Sequence, residues 1–586
     1  MSSIPDAEII LAVDVGSVNT RASLFDVVDG RYRLVATSEV SSTAGPPLFD
    51  IGEGVRLAMD RIRVITGRRL TDETEVLIYP STGFGSGVDL FVSSISAGPK
   101  VKTIIAGLMP GVSMTSARRL AESAYLDIVG EITLVDRRRT EEQIDLILSQ
   151  RPDMILIVGG TDGGASDPLF QLIELIKLAV SLLPEGQKPR IVYSGNRNLG
   201  ALVVDRLSGG ATVNVTPNIR PSLEMEELTP ARLRLAETLF EIRSNRITGY
   251  EELKQWSGDA LIPTAEAFGR LIRYLSKVYH PDKGVLGVDL GASQVTIAAA
   301  FEGDLNLSVN SRLGAGSSIT GLLENGDLFR VMRWLPHEVS DSQLKDYIHN
   351  KAIRQGSIPV TIEELHIELA IARQLIRQAL FNARQTWPAG KDSRSMLLLP
   401  EVEPILAGGA SLARAPRPGY SALVLLDALQ PTGVSTLVMD PYSLAPTLGA
   451  TAGPLPLATV QLLEAGVFVS TGTVVAPKGK IRQGRKVLSY QLEYEDGSPT
   501  KGGEVNYNQI EVLPLATGQY GRLTLRPEGG VELGFGLLGR AGTLRVAGGT
   551  LGVMIDARGR PLNLPRDLGQ LRELNQRWLW DIGALE

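Results

Sequence analysis

A short apolar phrase that ends in an aspartate and a glycine occurs twice in the sequence, in two distant places. The first copy is LAVDVGSVNTRASLF at 11–25, and the second is LGVDLGASQVTIAAAF at 286–301. Each copy joins two β-prone runs through an Asp-x-Gly bend, with Asp14 and Asp289 at the same position. Two such hairpins in one chain predict two related halves that face each other across a cleft.

The bend of each hairpin contains residue types that suit phosphate. Gly16 and Gly291 allow a tight reversal and leave out the side chain that would keep a ligand away from the backbone. Backbone N–H groups in such a bend can point at phosphate oxygens, and neighbouring hydroxyls and amides add neutral donors. The candidate nucleotide-binding residues are Gly16, Ser17, Asn19, Thr20, Gly291, Ala292, Ser293 and Gln294. Taken alone, either copy also fits an ordinary β-hairpin with a polar turn.

The two aspartates are expected at strand ends, where both face the same polyphosphate. Two carboxylates beside a polyanion repel it unless a cation lies between them. Carboxylate and phosphate oxygens together suit Mg²⁺, which keeps most of its water ligands in such sites. We therefore predict that Asp14 and Asp289 are catalytic residues that hold Mg²⁺ through water.

A third phrase, PILAGGASLARAP at 404–416, supplies the remaining element of a nucleotide site. A short apolar strand leads into two glycines, which let the backbone approach a flat ligand closely. The predicted contacts with the adenosine part are Gly408, Gly409, Ala410 and Ser411. The alternative is a strand-to-helix connection that binds no ligand.

The order of these three phrases resembles the superfamily of actin, sugar kinases and heat-shock chaperone ATPases. Within that superfamily, the chain is most similar to the glutamate mutase L accessory proteins. Further phrases that carry the resemblance are YPSTGFGSG at 79–87, the stretch 96–124, VGGTDGGAS at 158–166 and PTAEAFGRLIRYL at 263–275. The similarity covers roughly residues 8–455.

The resemblance implies an α/β fold with a duplicated actin-like, ribonuclease H-like core, and ATP and Mg²⁺ as cofactors. It also implies an accessory or reactivating chaperone of an adenosylcobalamin-dependent mutase, such as glutamate mutase. In that reading, ATP hydrolysis lets the lobes reopen, so that a damaged cofactor leaves the mutase. Two alternatives remain open: a small-molecule kinase on the same fold, and a non-enzymatic scaffold that uses nucleotide as a clamp.

Composition shifts along the chain predict five parts. Alternating strands and helices indicate a parallel sheet in the second part, and short strands separated by glycine and proline indicate a small barrel or sandwich in the last. The parts are 8–90, the first half of the ATPase core; 91–210, an inserted α/β unit; 211–284, a helical connection; 285–455, the second half of the core; and 456–586, a β-rich domain. The helices expected within them include 52–66, 140–150 and 361–385.

Two loops carry additional expectations. The loop VGGTDGGAS follows an apolar run, and Gly160, Asp162 and Gly163 are candidates for contact with a ligand or a partner. A glycine-rich connection without a ligand is the alternative, and the absence of a following Gly-Lys-Ser/Thr excludes a Walker-type loop. The basic turn formed by Arg558 and Arg560 is predicted to be a solvated hairpin turn, with contact to a partner as the alternative.

Charge and residue usage exclude several classes of function. The net charge of −6 argues against general binding of nucleic acid, which requires a basic surface. The absence of cysteine excludes disulfides, thiolate nucleophiles and cysteine-based zinc sites, and the four histidines lack ligand spacing. No apolar stretch approaches the length that spans a bilayer, and the first residues do not resemble a signal peptide. We therefore expect a cytoplasmic protein without membrane contact, whose oligomeric state is left open.

Overall fold

The structure is a computed structural model. It describes residues 7–82, 85–164, 166–279, 282–324, 326–385, 387, 398–479 and 484–585. Gly83 of the loop 79–87, Ala165 of the loop 158–166 and His280 lie outside the described residues. None of the described helices is long and apolar enough to cross a membrane.

The first hairpin forms the centre of a mixed sheet. Residues Ile10–Val15 are fully buried and, except for Asp14, apolar, which favours an inner strand. This strand pairs antiparallel with the next and parallel with Leu90–Ile95, so that Asp14 lies opposite Arg21 on one side and Ser94 on the other. The elements of this part are β1 (Ile10–Val15), β2 (Asn19–Val28), β3 (Arg31–Ser41), α1 (Ile51–Thr66) and β4 (Leu90–Ile95). The boundary predicted at residue 90 coincides with the first residue of β4. This strand belongs to the first sheet and not to the inserted unit.

The inserted unit is a parallel sheet with helices packed on it. Its strand order, β6-β5-β7-β8-β9, is that of a doubly wound α/β sheet. The strands are β5 (Val101–Gly107), β6 (Leu126–Thr133), β7 (Met154–Ile157), β8 (Arg190–Tyr193) and β9 (Val213–Val215). The helices between them are α2 (Ser113–Glu122), α3 (Thr140–Gln150), α4 (Asp167–Ser181) and α5 (Gly200–Leu207).

The helical connection returns the chain to the first sheet. Its elements are α6 (Thr229–Ser244), α7 (Tyr250–Ser257), β10 (Leu261–Pro263) and α8 (Thr264–Val278). Strand β10 pairs parallel with β4 and completes the order β10-β4-β1-β2-β3. Helix α8 begins directly after β10, and its apolar face is buried against the sheets.

The second half repeats the first. The order β13-β12-β11-β14-β15 matches β3-β2-β1-β4-β10, with antiparallel hairpins followed by parallel strands. The strands are β11 (Gly284–Leu290), β12 (Val295–Phe301), β13 (Asp304–Asn310), β14 (Val402–Gly408) and β15 (Gly433–Met439). The helices are α9 (Gly321–Glu324), α10 (Leu328–Met332), α11 (Asp341–Ile353), α12 (Ile362–Arg384), α13 (Ala410–Ala413), α14 (Pro418–Leu429) and α15 (Ala445–Thr451).

The C-terminal part adds strands to the second sheet and also forms its own small sheet. Strand β16 pairs antiparallel with β15, and β24 and β20 follow it at the edge of the second sheet. Strands β19, β18, β21 and β23 form a separate antiparallel sheet. The elements are α16 (Pro456–Glu464), β16 (Val469–Ala476), β17 (Lys478–Gly479), β18 (Lys486–Tyr494), β19 (Lys501–Asn506), β20 (Ile510–Leu513), β21 (Tyr520–Pro527), β22 (Val531–Glu532), β23 (Gly542–Ala547), β24 (Gly552–Asp556) and α17 (Leu568–Asp581). The boundary predicted at residue 456 therefore falls between β15 and β16, which are paired with each other in the second sheet.

The basic turn at 558–560 is buried, so the prediction of a solvated hairpin turn is wrong. The guanidinium of Arg558 donates to both carboxylate oxygens of Asp556 at 2.8 Å and to Oδ1 of Asp427 at 2.6 Å. Arg560 donates to Asp556 at 2.6 Å, and Asp427 also accepts from Arg373 at 2.7 Å. The alternation of these charges compensates their burial and ties the end of β24 to helices α12 and α14.

We predict that Arg558→Met strongly destabilises the protein. The substitution leaves Asp427 and Asp556 with less compensation inside the core, and breaking such a pair typically costs ~3–5 kcal/mol. The measurement is the midpoint of unfolding by heat and by urea. Arg545→Met is the matched control, because Arg545 pairs with Glu495 at the exposed surface. An Arg558→Met protein as stable as the control would contradict the assigned role of the network.

Candidate functional site

A cavity of about 590 Å³ lies in the cleft between the two halves. Both hairpin bends and the third glycine-containing phrase reach it, from strands β1, β11 and β14. The predicted site residues that line it are Asp14, Gly16, Ser17, Asn19, Asp289, Gly291, Ala292, Ser293, Gln294, Gly408, Gly409, Ala410 and Ser411. The structure thus brings together three segments that are far apart in the sequence.

The two hairpin bends have matching geometry. The N–H of Gly16 donates to the carbonyl of Asn19 at 2.9 Å, and the N–H of Gly291 donates to the carbonyl of Gln294 at 2.9 Å. A Cβ atom would lie 2.8 Å from the Asn19 oxygen in the first bend and 3.0 Å from the Gln294 oxygen in the second. Both positions therefore favour glycine because of the close approach of the backbone.

Thr20 is a predicted phosphate contact that does not line the cavity. Its side chain is completely buried, and its neighbours Asn19 and Arg21 line the cavity instead. Successive residues of a strand point to opposite faces, so Thr20 points away from the cleft. There it lies against α1, where a Cβ atom on Gly54 would be 3.1 Å from the Thr20 hydroxyl.

Asp14 is held in a fixed orientation by two hydroxyl groups. Its Oδ1 accepts hydrogen bonds from Ser94 at 2.7 Å and from Thr264 at 2.8 Å, and the residue is 4% exposed. Burial raises the pKa of Asp14 above its usual range, although Ser94, Arg21 and Thr264 act in the opposite direction. No described residue donates a hydrogen bond to Oδ2, so this oxygen can accept one from water.

Asp289 is the more strongly perturbed of the two predicted acids. Burial, together with the nearby charges of Asp14 and Asp440, raises the pKa of Asp289 to about 7, against the opposing charge of Arg21. Like charges that share a site disfavour their own ionisation. The cleft is therefore electrostatically suited to a cation.

Asp440 is a third acid in the cavity, and sequence analysis missed it. It follows β15 directly and is 1% exposed, and its carboxylate accepts from the N–H groups of Leu444 at 2.9 Å and Ala445 at 2.7 Å. Burial raises the pKa of Asp440 to about 6 despite these bonds. The signal in the sequence was an aspartate after a β-prone run and before a helix with proline in its first turn.

The donor set suits a hydrated cation rather than one held by protein ligands alone. Among the described residues, no group of three or more His, Cys, Asp or Glu side chains is arranged to hold a metal ion. Asp14, Asp289 and Asp440 nevertheless line one cavity. Water and phosphate oxygens would therefore complete the coordination shell, which is the preference of Mg²⁺.

An ion-pair chain closes one side of the cavity. Arg21, which lines it, donates to Glu39 at 2.8 Å, and Glu39 also accepts from Arg414 of the opposite half. Although burial raises it, the pKa of Glu39 is held below its usual range by Arg21 and Arg414. The chain joins β2 and β3 of the first half to the residues that follow α13 in the second.

A polar cluster forms the far end of the cavity. Glu368 accepts from the Ser411 hydroxyl at 2.7 Å, from the Tyr347 hydroxyl at 2.7 Å and from the Lys351 ammonium at 2.9 Å. Glu368, Lys351 and Ser411 all line the cavity, next to Gly409. This end has hydrogen-bonding groups, which suit a ribose. It also has backbone without a side chain at Gly409, which lets a flat ring approach closely. Lys351 and Glu368 lie on separate helices and form no motif in the sequence.

The loop 158–166 lies away from the cavity, within the inserted unit. Asp162 accepts from the N–H of Arg197 and from the amide of Asn218, both at 2.9 Å. The same Asn218 amide donates to the carbonyl of Gly160 at 2.9 Å, and the N–H of Gly163 donates to an Asn196 side chain at 3.2 Å. The predicted candidates Gly160, Asp162 and Gly163 thus bind the loops that follow β8 and β9.

We predict that Gly409→Ala weakens nucleotide binding. Gly409 has a φ of 104°, and a Cβ atom would lie 2.2 Å from the carbonyl oxygen of Leu290. The loop must therefore move away from β11, which we expect to lower affinity at least ~10-fold, the equivalent of about 1.4 kcal/mol. Calorimetric titration with an ATP analogue measures the effect. Gly186→Ala is the control, since a Cβ atom there meets nothing within 4 Å; equal affinities would refute the prediction.

We also predict that Mg²⁺–nucleotide binding releases protons near neutral pH. Because the pKa of Asp289 is about 7 in the ligand-free protein, this group is partly protonated there and must ionise when a cation binds. The number of protons released therefore increases as the pH falls from about 8 towards 6, because more of Asp289 is protonated at the lower pH. The affinity for the metal ion decreases over the same range. The measurement is the dependence of the binding enthalpy on the ionisation heat of the buffer. Asp289→Asn should remove most of the release, and a wild-type protein that releases none would contradict the assignment.

The duplicated sheet order confirms the predicted α/β fold with a duplicated actin-like core. The chain aligns with nucleotide-free acetone carboxylase at 11% identity and a TM-score of 0.31, over 85% of this chain and 81% of that one. It also aligns with nucleotide-free diol dehydratase-reactivating factor at 12% identity and a TM-score of 0.30, over 78% of this chain and 99% of that one.

Comparisons of sequence identify the family. Protein MutL of Clostridium tetanomorphum is 24% identical in an alignment 301 residues long, which covers 47% of this chain and 62% of that protein. The chain thus spans less than two thirds of the length of this curated relative. The family model described as MutL protein matches residues 10–467, which is most of the chain. The chain belongs to the MutL protein family.

Proposed function

We propose that this protein binds Mg²⁺–ATP in the cleft and hydrolyses it to drive the release or reactivation of a partner enzyme. The observation that carries the proposal is the convergence of Asp14 and Asp289, from two duplicated hairpins, on one cavity with Asp440. Three buried acids that repel one another are costly by themselves, and beside two glycine bends they become favourable around a cation and a polyphosphate.

Each part of the cavity has a role in this proposal. The bends at Gly16 and Gly291 hold phosphate oxygens, and the end formed by Lys351 and Glu368 holds the ribose and adenine. Asp14, fixed by Ser94 and Thr264, would help to hold the cation, and its orientation is set by these two hydroxyl groups. Bound Mg²⁺ supplies charge neutralisation for the phosphates, so that catalysis is mainly a matter of position and charge. Asp289 and Asp440, which line the same cavity, would add negative charge beside the cation.

The acids are also connected to the contact between the halves. Thr264, which donates to Asp14, is the first residue of α8, and Asp440 accepts the first N–H groups of α15. The two helices cross so closely that a Cβ atom on Gly449 would lie 1.8 Å from the carbonyl oxygen of Ala267. A change in charge at the γ-phosphate position is therefore transmitted to the starts of two packed helices.

The partner in this proposal is an adenosylcobalamin-dependent mutase, as the resemblance to glutamate mutase L accessory proteins implies. Nucleotide-dependent closure can act on such a partner only if the open and closed states bind it with different affinities. The inserted unit and the small sheet β19-β18-β21-β23 are the parts outside the duplicated core that offer surface for the contact.

We predict that Asp14→Ala and Asp289→Ala each reduce ATP turnover at least ~100-fold, because each removes a positioned charge from the reacting phosphates. The measurement is phosphate release from ATP, with and without a purified adenosylcobalamin-dependent mutase. Asp304→Asn is the matched control, since Asp304 is an exposed carboxylate at the start of β13 in the same half as Asp289.

The same assay separates the alternatives. Phosphate release that the mutase stimulates supports the proposal. Transfer of phosphate to an added small acceptor would identify a kinase, and tight nucleotide binding without turnover would identify a scaffold. Normal turnover in Asp14→Ala or Asp289→Ala would overturn the assignment of the site.

A further inference from the structure

A second cavity of about 590 Å³ lies behind the nucleotide cavity. It is lined by residues of α6 and α7, of β10 and the start of α8, of the turn before β6 and of the second hairpin. Ser96, Thr264 and Gln294 line both cavities and form the wall between them. The second cavity therefore lies where the first half, the inserted unit and the second half meet, a frequent position for ligand sites.

Arg243 is a buried cation in this cavity. It is 5% exposed, it forms no ion pair with any described residue, and its Nη2 donates to the carbonyl of Tyr125 at 3.2 Å. Its Nε has no hydrogen-bond partner among the described residues. The guanidinium carbon lies 5.4 Å from the centre of the Tyr125 ring, which compensates part of the charge. The cation still lacks an anionic partner, and one of its donors is unpaired among the described residues, which is costly for a buried group.

Two further cations lie on the same wall. Arg232 forms no ion pair in the described part of the chain, and its buried Nε is also without a partner there. The ammonium of Lys254 is 4.7 Å from the ring centre of Phe240 and likewise has no carboxylate partner in the described ranges. Positive charge thus converges on the cavity from α6 and α7.

The acids around the cavity are already paired with other cations. Glu237 pairs with Arg234 at 2.5 Å, Glu241 with Arg190 at 3.5 Å, and Glu266 with Arg270 at 2.7 Å. Each of these carboxylates has its own arginine. The positive charge of the cavity therefore exceeds the negative charge that the described residues provide, which favours an anionic ligand.

The wall also has an apolar part and, among the described residues, a buried acceptor without a donor. Leu235, Leu239 and Leu261 line the cavity with Leu307 of the opposite half. Gln294 is 4% exposed, and its Oε1 accepts no hydrogen bond from the described residues. A volume of this size is typical of sites for small organic molecules.

We propose that this cavity binds a small organic anion, a carboxylate or a phosphate ester. Arg243 and Arg232 hold the anionic group, the leucine side chains contact the carbon skeleton, and Gln294 accepts a hydrogen bond from a hydroxyl or amide of the ligand. The site is distinct from the nucleotide cavity, and ligand binding there requires no ATP turnover. Its test is therefore independent of the test of the proposed function.

The experiment is calorimetric titration of the nucleotide-free protein with succinate and with phenyl phosphate. Succinamide serves as the neutral analogue, and inorganic phosphate serves as the anion without a carbon skeleton. We expect at least one organic anion to bind at least ~10-fold more tightly than succinamide and inorganic phosphate. Absence of binding by both organic anions, or equal binding of inorganic phosphate, would overturn the proposal.

Variants locate the binding in the cavity. Arg243→Gln should weaken it at least ~10-fold, and Arg232→Gln and Lys254→Gln should weaken it less. Arg246→Gln is the matched control, because Arg246 pairs with Asp153 and neither residue lines the cavity. If Arg243→Gln does not fold, Arg232→Gln and Lys254→Gln decide the question: affinities equal to that of Arg246→Gln would refute the site.

Discussion

The burial of three carboxylates in one cleft is the constraint on which the rest of the structure depends. Asp14, Asp289 and Asp440 come from the ends of parallel or hairpin strands in the two sheets, and burial raises the pKa of each. Hydroxyl groups, backbone N–H groups and Arg21 compensate this charge only in part. A fold that holds these groups together without a ligand is arranged to gain stability when a cation and phosphates enter.

Two of these acids, Asp14 and Asp440, lie at the contact between the two halves. Asp14 and Asp440 are bonded to the first residues of α8 and α15, and these helices touch through Gly449 and Ala267 without an intervening side chain. The second half is extended by β16, β24 and β20 and is braced by the buried network around Arg558. Such bracing favours movement of the half as one body over deformation within it.

Much of this arrangement could be predicted from local sequence. The repeated phrase predicted both hairpins, and their close backbone approach explains why Gly16 and Gly291 are required. The helix at 140–150 was predicted with its observed bounds because its amphipathic pattern is local. Side chains along β2 alternate between the two faces of the sheet, and this pattern alone indicates that Thr20 faces away from the cleft. The prediction that Thr20 contacts phosphate did not take this alternation into account.

Other features depend on contacts between distant segments. Asp440 belongs to the site only because β15 lies beside β14, and Lys351 and Glu368 meet only because α11 packs near α12. Arg558 looked like a surface residue because its partner Asp427 is distant in sequence. The addition of β16 to the second sheet could not be predicted either, because the sequence of a strand does not specify which strand it pairs with.

The central claim is that the duplicated acids hold one magnesium–nucleotide complex. The most direct measurement is a crystal structure of the protein with Mg²⁺ and a non-hydrolysable ATP analogue. Our account predicts that the metal ion lies between Asp14 and Asp289, bound through water and β- and γ-phosphate oxygens, with the base beside Gly409. A nucleotide bound elsewhere, such as at the loop 158–166 of the inserted unit, or a metal ion remote from both acids, would contradict it.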